Sequence, residues 1–412
     1  MGREVYIIGA GMTKFGKLLD RNMKSLVEEA VTSALKHAGT DQKVLEAAYV
    51  GNAVQGLYNG QECIRGQVAL RPMGIGAIPV VNVENACASG STALYGAYLA
   101  VLSGAQDVVL ALGMEKMYSE DKARTLEMFQ AAMDMDVVEA FKSMIAMQKS
   151  SEENSGGEKK KEKVEKKSIF MDAYAMGARM HMSTYGTTQR QLASIAAKNH
   201  FHSSLNPYAQ YQTPYTIEEV LASPEVSYPL TRLMCSPIGD GAAAVIVASK
   251  EAVKRLGITK PIKIAASLMG SGMDKGFEDE DISRRVSKKA YEIAGIGPKD
   301  IDLLEVHDAT AFGELHVLEE LGICKTGEGG PFAEAGHTKL GGKIPVNVSG
   351  GLECKGHPIG ASGIAQIVEI VWQLRGEAGK RQVQGAKVGM AENGGGALGT
   401  EEAALCIHIL KA

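Results

Sequence analysis

The sequence predicts an α/β protein made of two similar halves, with a long insertion in the first half. Two segments, 79–113 and 344–390, share one layout: a strand containing Val-Asn-Val, a tight loop, a helix rich in small residues, and another strand. Residues 116–232 interrupt this pattern. Short apolar strands alternating with helices are typical of a mainly parallel sheet with helices on its faces.

Each half contains strands and helices in matching order. In the first half we predict strands near 5–8, 79–83 and 107–113 and helices near 26–37 and 88–103. In the second half we predict strands near 262–266, 344–349 and 386–390 and helices near 282–294 and 359–374. The chain therefore reads as two copies of one βαβαβ-type unit.

The helices near 88–103 and 359–374 differ from ordinary surface helices. The first has no charged residue, and the second opens with Gly360-Ala-Ser-Gly. A helix without a polar face is buried, and small residues let two backbones approach closely. We therefore expect these helices to pack together between two sheets, with their partly positive N-termini near one point.

We divide the chain into an N-terminal half of residues 1–115 and 233–255, an inserted domain of 116–232, and a C-terminal half of 256–412. The insertion contains the charged run Ser150–Lys167, which is typical of a solvated loop. More than half of the 19 methionines lie between residues 114 and 182. They suit either a lid over an irregular apolar group or ordinary gap-filling in a helical insertion.

Composition excludes several classes of protein. The net charge of −4 gives no basic face for nucleic acid. The first residues do not form a signal peptide, and no apolar run approaches the roughly 20 residues that span a membrane, so we expect a cytoplasmic protein without membrane contact. Six cysteines stand singly, which favours free thiols over disulfides or a zinc site.

Cys87 is the first candidate for chemistry. It lies in Glu84-Asn-Ala-Cys-Ala-Ser-Gly, after a predicted strand and at the start of the uncharged helix. Free N–H groups and the helix dipole lower the pKa of a thiol at such a position, and the thiolate is the nucleophile. The alternative is an inert buried thiol.

Three further motifs carry polar groups. His357 enters the second small-residue helix and is placed to act as a general base, or to cap that helix. His307 follows a strand and is placed to donate to a thioester oxygen, or is an ordinary strand-end histidine. The glycines of Glu392–Gly399 either bring N–H groups to an oxyanion or only turn the chain. Ile8-Gly-Ala-Gly lacks the spacing of a dinucleotide loop.

Together, four motifs make the chain similar to the thiolase superfamily over essentially its whole length. They are Asn85-Ala-Cys-Ala-Ser-Gly, Gly239-Asp-Gly-Ala-Ala-Ala, Val306-His-Asp-Ala and Gly356-His-Pro-Ile-Gly-Ala-Ser-Gly. The resemblance implies a five-layered αβαβα sandwich of two similar halves with an inserted loop domain. It also implies an acyltransferase that uses coenzyme A as a substrate and binds no permanent cofactor and no metal.

The resemblance implies a role for each residue. Cys87 becomes acylated and His357 activates it. The N–H groups of Cys87 and Gly394 form one oxyanion hole, and His307 and His357 serve the other. His307 in a His-Asp motif is similar to the sterol-carrier-protein-type and archaeal thiolases.

The chain departs from the family at the second catalytic cysteine. Glu392 occupies its usual position, and Ala309 occupies the place of the cysteine that sterol-carrier-type enzymes use instead. Cys354, three residues before His357, is the first substitute that we consider, and Glu392 is the second.

The resemblance also implies partners and leaves alternatives. Family members form dimers or tetramers, archaeal-type relatives work with a small zinc-ribbon/OB-fold protein, and a nearby branch includes a thiolase subunit acting on benzoylsuccinyl-CoA. A Cys-His-His set also fits a condensing synthase, decarboxylating or not, although the Gly356-His-Pro-Ile-Gly-Ala-Ser-Gly form favours a thiolase. A non-catalytic CoA-binding subunit is the third possibility. The acyl group, the direction of reaction and the CoA contacts stay open.

Overall fold

The computed structural model describes residues 3–121, 128–136, 138–139, 169–274, 276, 279–399 and 401–412. The strands are β1 Val5–Met12, β2 Ala47–Gly51, β3 Val80–Val83, β4 Val108–Glu115, β5 Glu225–Ser227, β6 Leu230–Thr231, β7 Gly241–Ser249, β8 Ile262–Ser271, β9 Leu303–Glu305, β10 Val388–Gly395 and β11 Ala404–Lys411. The helices are α1 Met23–Ala38, α2 Gln55–Asn59, α3 Arg65–Leu70, α4 Ser89–Leu102, α5 Ile169–Tyr185, α6 Gln189–Ser204, α7 Ile217–Ala222, α8 Lys250–Arg255, α9 Ile282–Ala294, α10 Ala311–Glu320, α11 Gly329–Glu334, α12 Gly351–Lys355 and α13 Ile359–Arg375.

The internal repeat is visible in the order of the strands. The large sheet runs β3-β2-β4-β7-β1-β8-β11-β10-β9. A bridge from Leu304 to Val346 adds the beginning of a further strand beside β9. Counted outwards from the centre, each half therefore has the same order. The halves meet where β1 and β8 form two residue pairs, Tyr6 with Lys263 and Ile7 with Ile262.

The expectation of a mainly parallel sheet is wrong. Strand β2 is parallel to β3 and β4, and β9 is parallel to β10, but the remaining pairs in the described large sheet are antiparallel. The last strand of each half reverses direction. In the second half the link from β10 to β11 is too short for a helical crossover, so the two strands form an antiparallel pair.

One predicted strand, near 344–349, is reduced to the Val346 bridge. Asn347 has a left-handed backbone with φ of 53°. Its side-chain oxygen accepts the N–H of Val306 at 2.8 Å. The side chain of Asn347 thus takes the place of its backbone carbonyl in the next hydrogen bond to Val306. The strand therefore ends here.

The matching outer helices of the two halves, α1 and α9, have similar caps at both of their ends. Asn22 accepts the N–H of Ser25 at the start of α1, and Asp281 accepts that of Ser283 at the start of α9. Gly39 and Gly295 end these helices in the left-handed conformation. The same signals therefore fix both helices, in agreement with the duplicated pattern of the sequence.

Helices α4 and α13 cross at the centre of the molecule, as expected. A Cβ added at Gly90 would lie 2.9 Å from the carbonyl oxygen of Gly360. Helix α13 is buried along nearly its whole length, whereas α4 leaves one face outside, with Leu99 41% exposed. The prediction of a helix buried on every side therefore holds for α13 and is wrong for α4.

The described part of the insertion packs against the second half. Ala178 of α5 and Ile195 of α6 lie in one apolar cluster with Phe312 and Leu315 of α10. The charged run Ser150–Lys167 and two of the insertion's methionines, Met144 and Met147, lie outside the described residues. The domain boundaries given above stay a prediction. Within the described ranges no helix is long and apolar enough to cross a membrane.

Gly9 and Gly11, in the segment that superficially resembles a dinucleotide loop, serve helix packing. A Cβ on Gly11 would lie 2.5 Å from the backbone nitrogen of Ala34, and one on Gly9 would lie 2.3 Å from the carbonyl oxygen of Ala34. The backbone atoms of Ala34 cannot move aside for an added methyl group as a flexible side chain can. The two glycines thus let α1 lie directly on β1.

We predict that Gly11→Ala lowers the free energy of unfolding by about 1–3 kcal/mol, because the added methyl pushes α1 away from β1. Urea denaturation measures this change. Gly76→Ala is the matched control, since nothing lies within 4 Å of a Cβ at Gly76. Equal stability of the two variants would contradict this explanation of Gly11.

Candidate active site

Cys87 is presented by a tight turn between β3 and α4. Ala86 has a left-handed backbone with φ of 47°, and its N–H donates to Glu84 Oε1 at 2.6 Å. Ser89 Oγ donates to the carbonyl of Ala86 at 2.7 Å. A one-turn 3₁₀ helix over Ala86–Ala88 then runs directly into α4. The thiol therefore lies at the N-terminus of the helix, where the sequence predicts it.

His357 lies between α12 and α13. Its Nδ1 is 2.8 Å from Ser362 Oγ, and this hydroxyl donates its proton to the carbonyl of Pro358 at 3.0 Å. A serine has one hydroxyl proton, so Ser362 accepts from Nδ1–H of His357. Nε2 of His357 consequently carries a lone pair and can accept a proton.

His307 lies two residues after the end of β9, and two successive residues of β10 form hydrogen bonds with it. Its backbone N–H donates to Glu392 Oε2 at 2.9 Å. Its ring Nδ1 lies 3.0 Å from Asn393 Nδ2. Strand β10 runs on to Gly395, so the Glu392 motif begins inside a strand rather than after it.

The structure brings Cys87, His307 and His357 together. Sγ of Cys87 and one nitrogen of each ring lie within 4.8 Å of one another. The two rings meet edge to face with their centres 5.3 Å apart. A thiol and two imidazoles at this spacing could hold a thiophilic metal ion, and they equally supply a nucleophile, a base and a hydrogen-bond donor.

The expected low pKa of Cys87 is wrong. Burial, followed by the carboxylate of Glu115, raises the pKa of the thiol to about 12, and Glu84 adds to this effect. The backbone N–H groups of Cys87 and Gly396 oppose the rise without overcoming it. Because the resting group is a thiol, attack by Cys87 requires a base.

Both histidines are neutral at neutral pH. Burial lowers the pKa of His307 to about 4, against the opposing effect of the Gly394 carbonyl. Burial, then the neighbouring His307 and Lys355, holds the pKa of His357 well below its ordinary value. A neutral imidazole can act as a base or as a donor, depending on which nitrogen carries the proton.

The two candidates for the second acid/base lie outside the group of three. Cys354, in α12, is fully buried, and burial with nearby Glu353 raises the pKa of its thiol well above the usual range. Burial raises the pKa of Glu392 to about 8. Its Oε1 is buried and has no hydrogen-bond partner in the described structure.

Gly394 and Gly396 have different places at the end of β10. Gly394 is paired with Leu405 in the ladder to β11. The N–H that faces the thiol of Cys87, besides the cysteine's own, belongs to Gly396. A Cβ at Gly395 would lie 2.2 Å from the carbonyl oxygen of Asn85, so the glycine run lets the strand end pass against the Cys87 turn.

Glu115, at the end of β4, was not identified from the sequence as a residue near the site. It accepts the N–H of Ala53 at 3.0 Å and that of Gly360 at 3.1 Å. It thereby ties the first half to the N-terminus of α13. Burial raises its pKa to about 7. An acidic residue closing a buried strand is the one sequence signal that could have identified it.

An apolar cluster lies beside the thiol. Met117, Met128 and Ile359 are buried in it, and Phe129 and Cys87 pack against it. Two of the insertion's methionines therefore lie near the Cys87 thiol, whereas others, such as Met176 and Met180 of α5, are more than half exposed.

Comparison with known families now decides the family. The model of the thiolase N-terminal domain matches residues 5–220, and that of the thiolase C-terminal domain-like family matches residues 277–408. The chain belongs to the thiolase family. It is an acyltransferase, as the resemblance of its motifs implied.

Curated relatives cover nearly the whole chain. Acetyl-CoA acetyltransferase of Methanothermobacter thermautotrophicus is 41% identical over 403 residues, which is 97% of this chain and 98% of that one. Human sterol carrier protein 2 is 38% identical over 95% of this chain and 70% of its own. Benzoylsuccinyl-CoA thiolase subunit BbsB of Thauera aromatica is 37% identical over 93% and 92%. The predicted likeness to archaeal and sterol-carrier-type thiolases is confirmed.

Solved structures confirm the fold. The Ltp2-ChsH2(DUF35) aldolase matches 99% of this chain and 98% of that chain with a TM-score of 0.77 at 24% identity. An identity this low extends the likeness to the fold alone. The predicted thiolase-like sandwich of two similar halves is thus the observed architecture.

We predict that Glu115→Gln speeds alkylation of Cys87 by iodoacetamide at pH 8. Removal of the neighbouring negative charge lowers the pKa of the thiol, and each pKa unit changes the thiolate fraction about tenfold. Peptide mapping by mass spectrometry follows Cys87 separately from the other cysteines. Glu292→Gln, an exposed residue of α9, is the control. Equal rates in both variants would show that Glu115 does not control the thiol.

Proposed function

We propose that this acyltransferase is a thiolase that cleaves a 3-oxoacyl-CoA with CoA, or runs the reverse Claisen condensation, through an acyl group carried on Cys87. The observation that supports this most strongly is the group of Cys87, His307 and His357 within 4.8 Å of one another. Two backbone N–H groups face the same thiol. Nucleophile, base and oxyanion donors are the parts that acyl transfer needs.

In the first half-reaction, Nε2 of His357 takes the proton of the Cys87 thiol. The thiolate attacks the 3-oxo carbon, and the bond between C2 and C3 breaks. The acyl group stays on Cys87 as a thioester, and the electron pair passes to C2 of the departing acyl-CoA, which is acetyl-CoA from acetoacetyl-CoA and succinyl-CoA from benzoylsuccinyl-CoA. The high pKa of the thiol means that a base is needed, and the free lone pair of His357 suits it to that role.

Backbone N–H groups stabilise the charge that develops on the attacked oxygen. Those of Cys87 and Gly396 lie at the thiol, so we assign them the oxyanion hole that the sequence assigned to Cys87 and Gly394. His307 and His357 face the thioester oxygen of the departing acyl-CoA. Donors fixed before the reaction in a buried site contribute far more than donors in water.

The carbanion at C2 requires a proton, and we infer that Glu392 provides it in place of the family's second cysteine. Its pKa of about 8 leaves the carboxyl group protonated at neutral pH, and its Oε1 has no partner in the described structure. Cys354 is a weaker candidate, because its buried thiol stands beside the carboxyl group of Glu353. In the second half-reaction CoA attacks the thioester, releases acyl-CoA and restores the Cys87 thiol.

For the acyl group, two observations point to different substrates. The archaeal relative at 41% identity is named for acetyl transfer. The Thauera aromatica relative is named for benzoylsuccinyl-CoA, and the cluster of Met117, Met128 and Phe129 beside Cys87 suits a bulky aromatic group. We therefore propose an aryl 3-oxoacyl-CoA such as benzoylsuccinyl-CoA as the second candidate beside acetoacetyl-CoA.

We propose that CoA enters and leaves as a substrate and that the protein works as a dimer or tetramer. One relative is named as a subunit, which supports a partner chain for this protein as well. A small zinc-ribbon/OB-fold protein is the partner that we propose. The contacts to CoA are not assigned.

A condensing synthase and a non-catalytic CoA-binding subunit are the alternatives. The first shares the Cys-His-His set but does not return its acyl group to free CoA. The second has the fold without turnover. Whether CoA discharges an acyl group from Cys87 separates all three.

We predict that intact-mass analysis finds an acyl adduct on the wild type, and none on Cys87→Ser, after brief incubation with acetoacetyl-CoA or an aryl 3-oxoacyl-CoA. Free CoA should remove the adduct, and the donor that gives more adduct identifies the acyl class. An adduct that CoA cannot remove would favour a condensing synthase. If no adduct forms even with the small partner present, the protein is not a thiolase for these donors.

We predict that the single-turnover rate of acetyl-CoA release falls as pH rises through about 8, because Glu392, with its raised pKa of about 8, then loses the proton that it must donate. Glu392→Gln should be slower by about 100-fold or more and should lose this pH dependence. Cys354→Ala is the comparison variant. A rate lost in Cys354→Ala and kept in Glu392→Gln would assign the proton to Cys354 instead.

A further inference from the structure

Asn393 contacts the ring of His307 at Nδ1, the ring nitrogen nearer the backbone. Asn393 is fully buried, and its Nδ2 lies 3.0 Å from Nδ1 of His307. An amide NH₂ is a donor and has no lone pair to offer. Nδ1 of His307 is therefore the acceptor in this bond, which leaves the ring proton on Nε2.

Ser91 holds the other end of the amide. Its hydroxyl donates to Asn393 Oδ1 at 3.0 Å, and Ser91 is itself fully buried. Ser91 lies on α4, one helical turn after the nucleophile Cys87. In this orientation Ser91 donates to Oδ1 and Nδ2 donates to His307, whereas the reversed amide would need Ser91 to accept and the ring proton of His307 to lie on Nδ1.

Helix α13 also packs at this point, and its Gly363 leaves room for the side chains of Ser91 and Asn393. A Cβ at Gly363 would lie 2.2 Å from Ser91 Oγ and 2.4 Å from Asn393 Oδ1. Any side chain here would displace the hydroxyl or the amide. The lack of a side chain at Gly363 thus leaves space for the hydrogen bonds that link Ser91, Asn393 and His307.

The two histidines consequently carry their protons on opposite nitrogens. Ser362 leaves Nε2 of His357 with a lone pair, as argued above. Asn393 leaves Nε2 of His307 with a proton. One ring can accept the thiol proton, and the other can donate to a thioester oxygen, although both are neutral imidazoles.

We propose that Asn393, oriented by Ser91, is a positioning residue that fixes His307 as the Nε2–H tautomer and so makes it a hydrogen-bond donor to the thioester oxygen. The role in turnover rests on the proposed thiolase function. The tautomer itself does not, because it belongs to the free enzyme. Asn393 touches neither substrate nor the reacting atoms in this assignment and acts only through the ring of His307.

The test is ¹⁵N NMR of the full-length protein labelled in the histidine rings, with His307→Gln and His357→Gln used to assign the signals. We expect a protonated Nε2 and an unprotonated Nδ1 for His307, and the reverse for His357. In Asn393→Asp the carboxylate accepts a hydrogen bond, so the proton of His307 should move to Nδ1. Cleavage of the 3-oxoacyl-CoA should fall about 10- to 100-fold with little change in melting temperature.

Two further variants keep the test decisive if Asn393→Asp unfolds. Ser91→Ala frees the amide to rotate and should give a mixture of His307 tautomers with a smaller loss of rate. Asn22→Asp, at the exposed start of α1, should change neither the ring signals nor the rate. A protonated Nδ1 on His307 in the wild type, or an unchanged tautomer in Asn393→Asp, would overturn the proposal. Correct tautomers without turnover on any donor would instead count against the proposed function.

Discussion

The contact on which the site depends is the close approach of α4 and α13. Cys87 lies at the N-terminus of one helix and His357 at that of the other, so the distance between the helices determines whether the thiol and the imidazole meet. Glycine at positions 90 and 363 permits that distance. Glu115 reinforces it by accepting the N–H of Gly360. Backbone packing thus does the positioning, and the reacting side chains need little freedom of their own.

The site combines neutral groups in a buried setting. Ionising a cysteine, a histidine or a carboxyl group without a partner is costly there, so the thiol and Glu392 keep their protons and the two imidazoles stay uncharged. Charge then arises mainly when substrate binds and the reaction begins. Fixed N–H groups of Cys87 and Gly396 face the thiol itself.

The sequence predicted well what depends on neighbouring residues. The helix near 282–294 has the predicted bounds, α1 extends its prediction by a few residues, and the motifs of Cys87, His307 and His357 led to three side chains that lie together. Features that depend on distant segments were missed. The sign of the pKa change at Cys87 is set largely by burial and by Glu115 from another strand. The glycine facing the thiol could not be chosen within a run of glycines whose register was unknown.

The high pKa of Cys87 also has a consequence for the idle enzyme. A thiol whose pKa is about 12 is almost wholly protonated at pH 7. Peroxide oxidises a thiolate far faster than a thiol, so the Cys87 thiol of the free protein reacts slowly with oxidants. A cysteine with a permanently low pKa would be ready for catalysis at all times and open to oxidative loss at all times. Here burial keeps the Cys87 thiol protonated, and the fold thereby protects this thiol from oxidation.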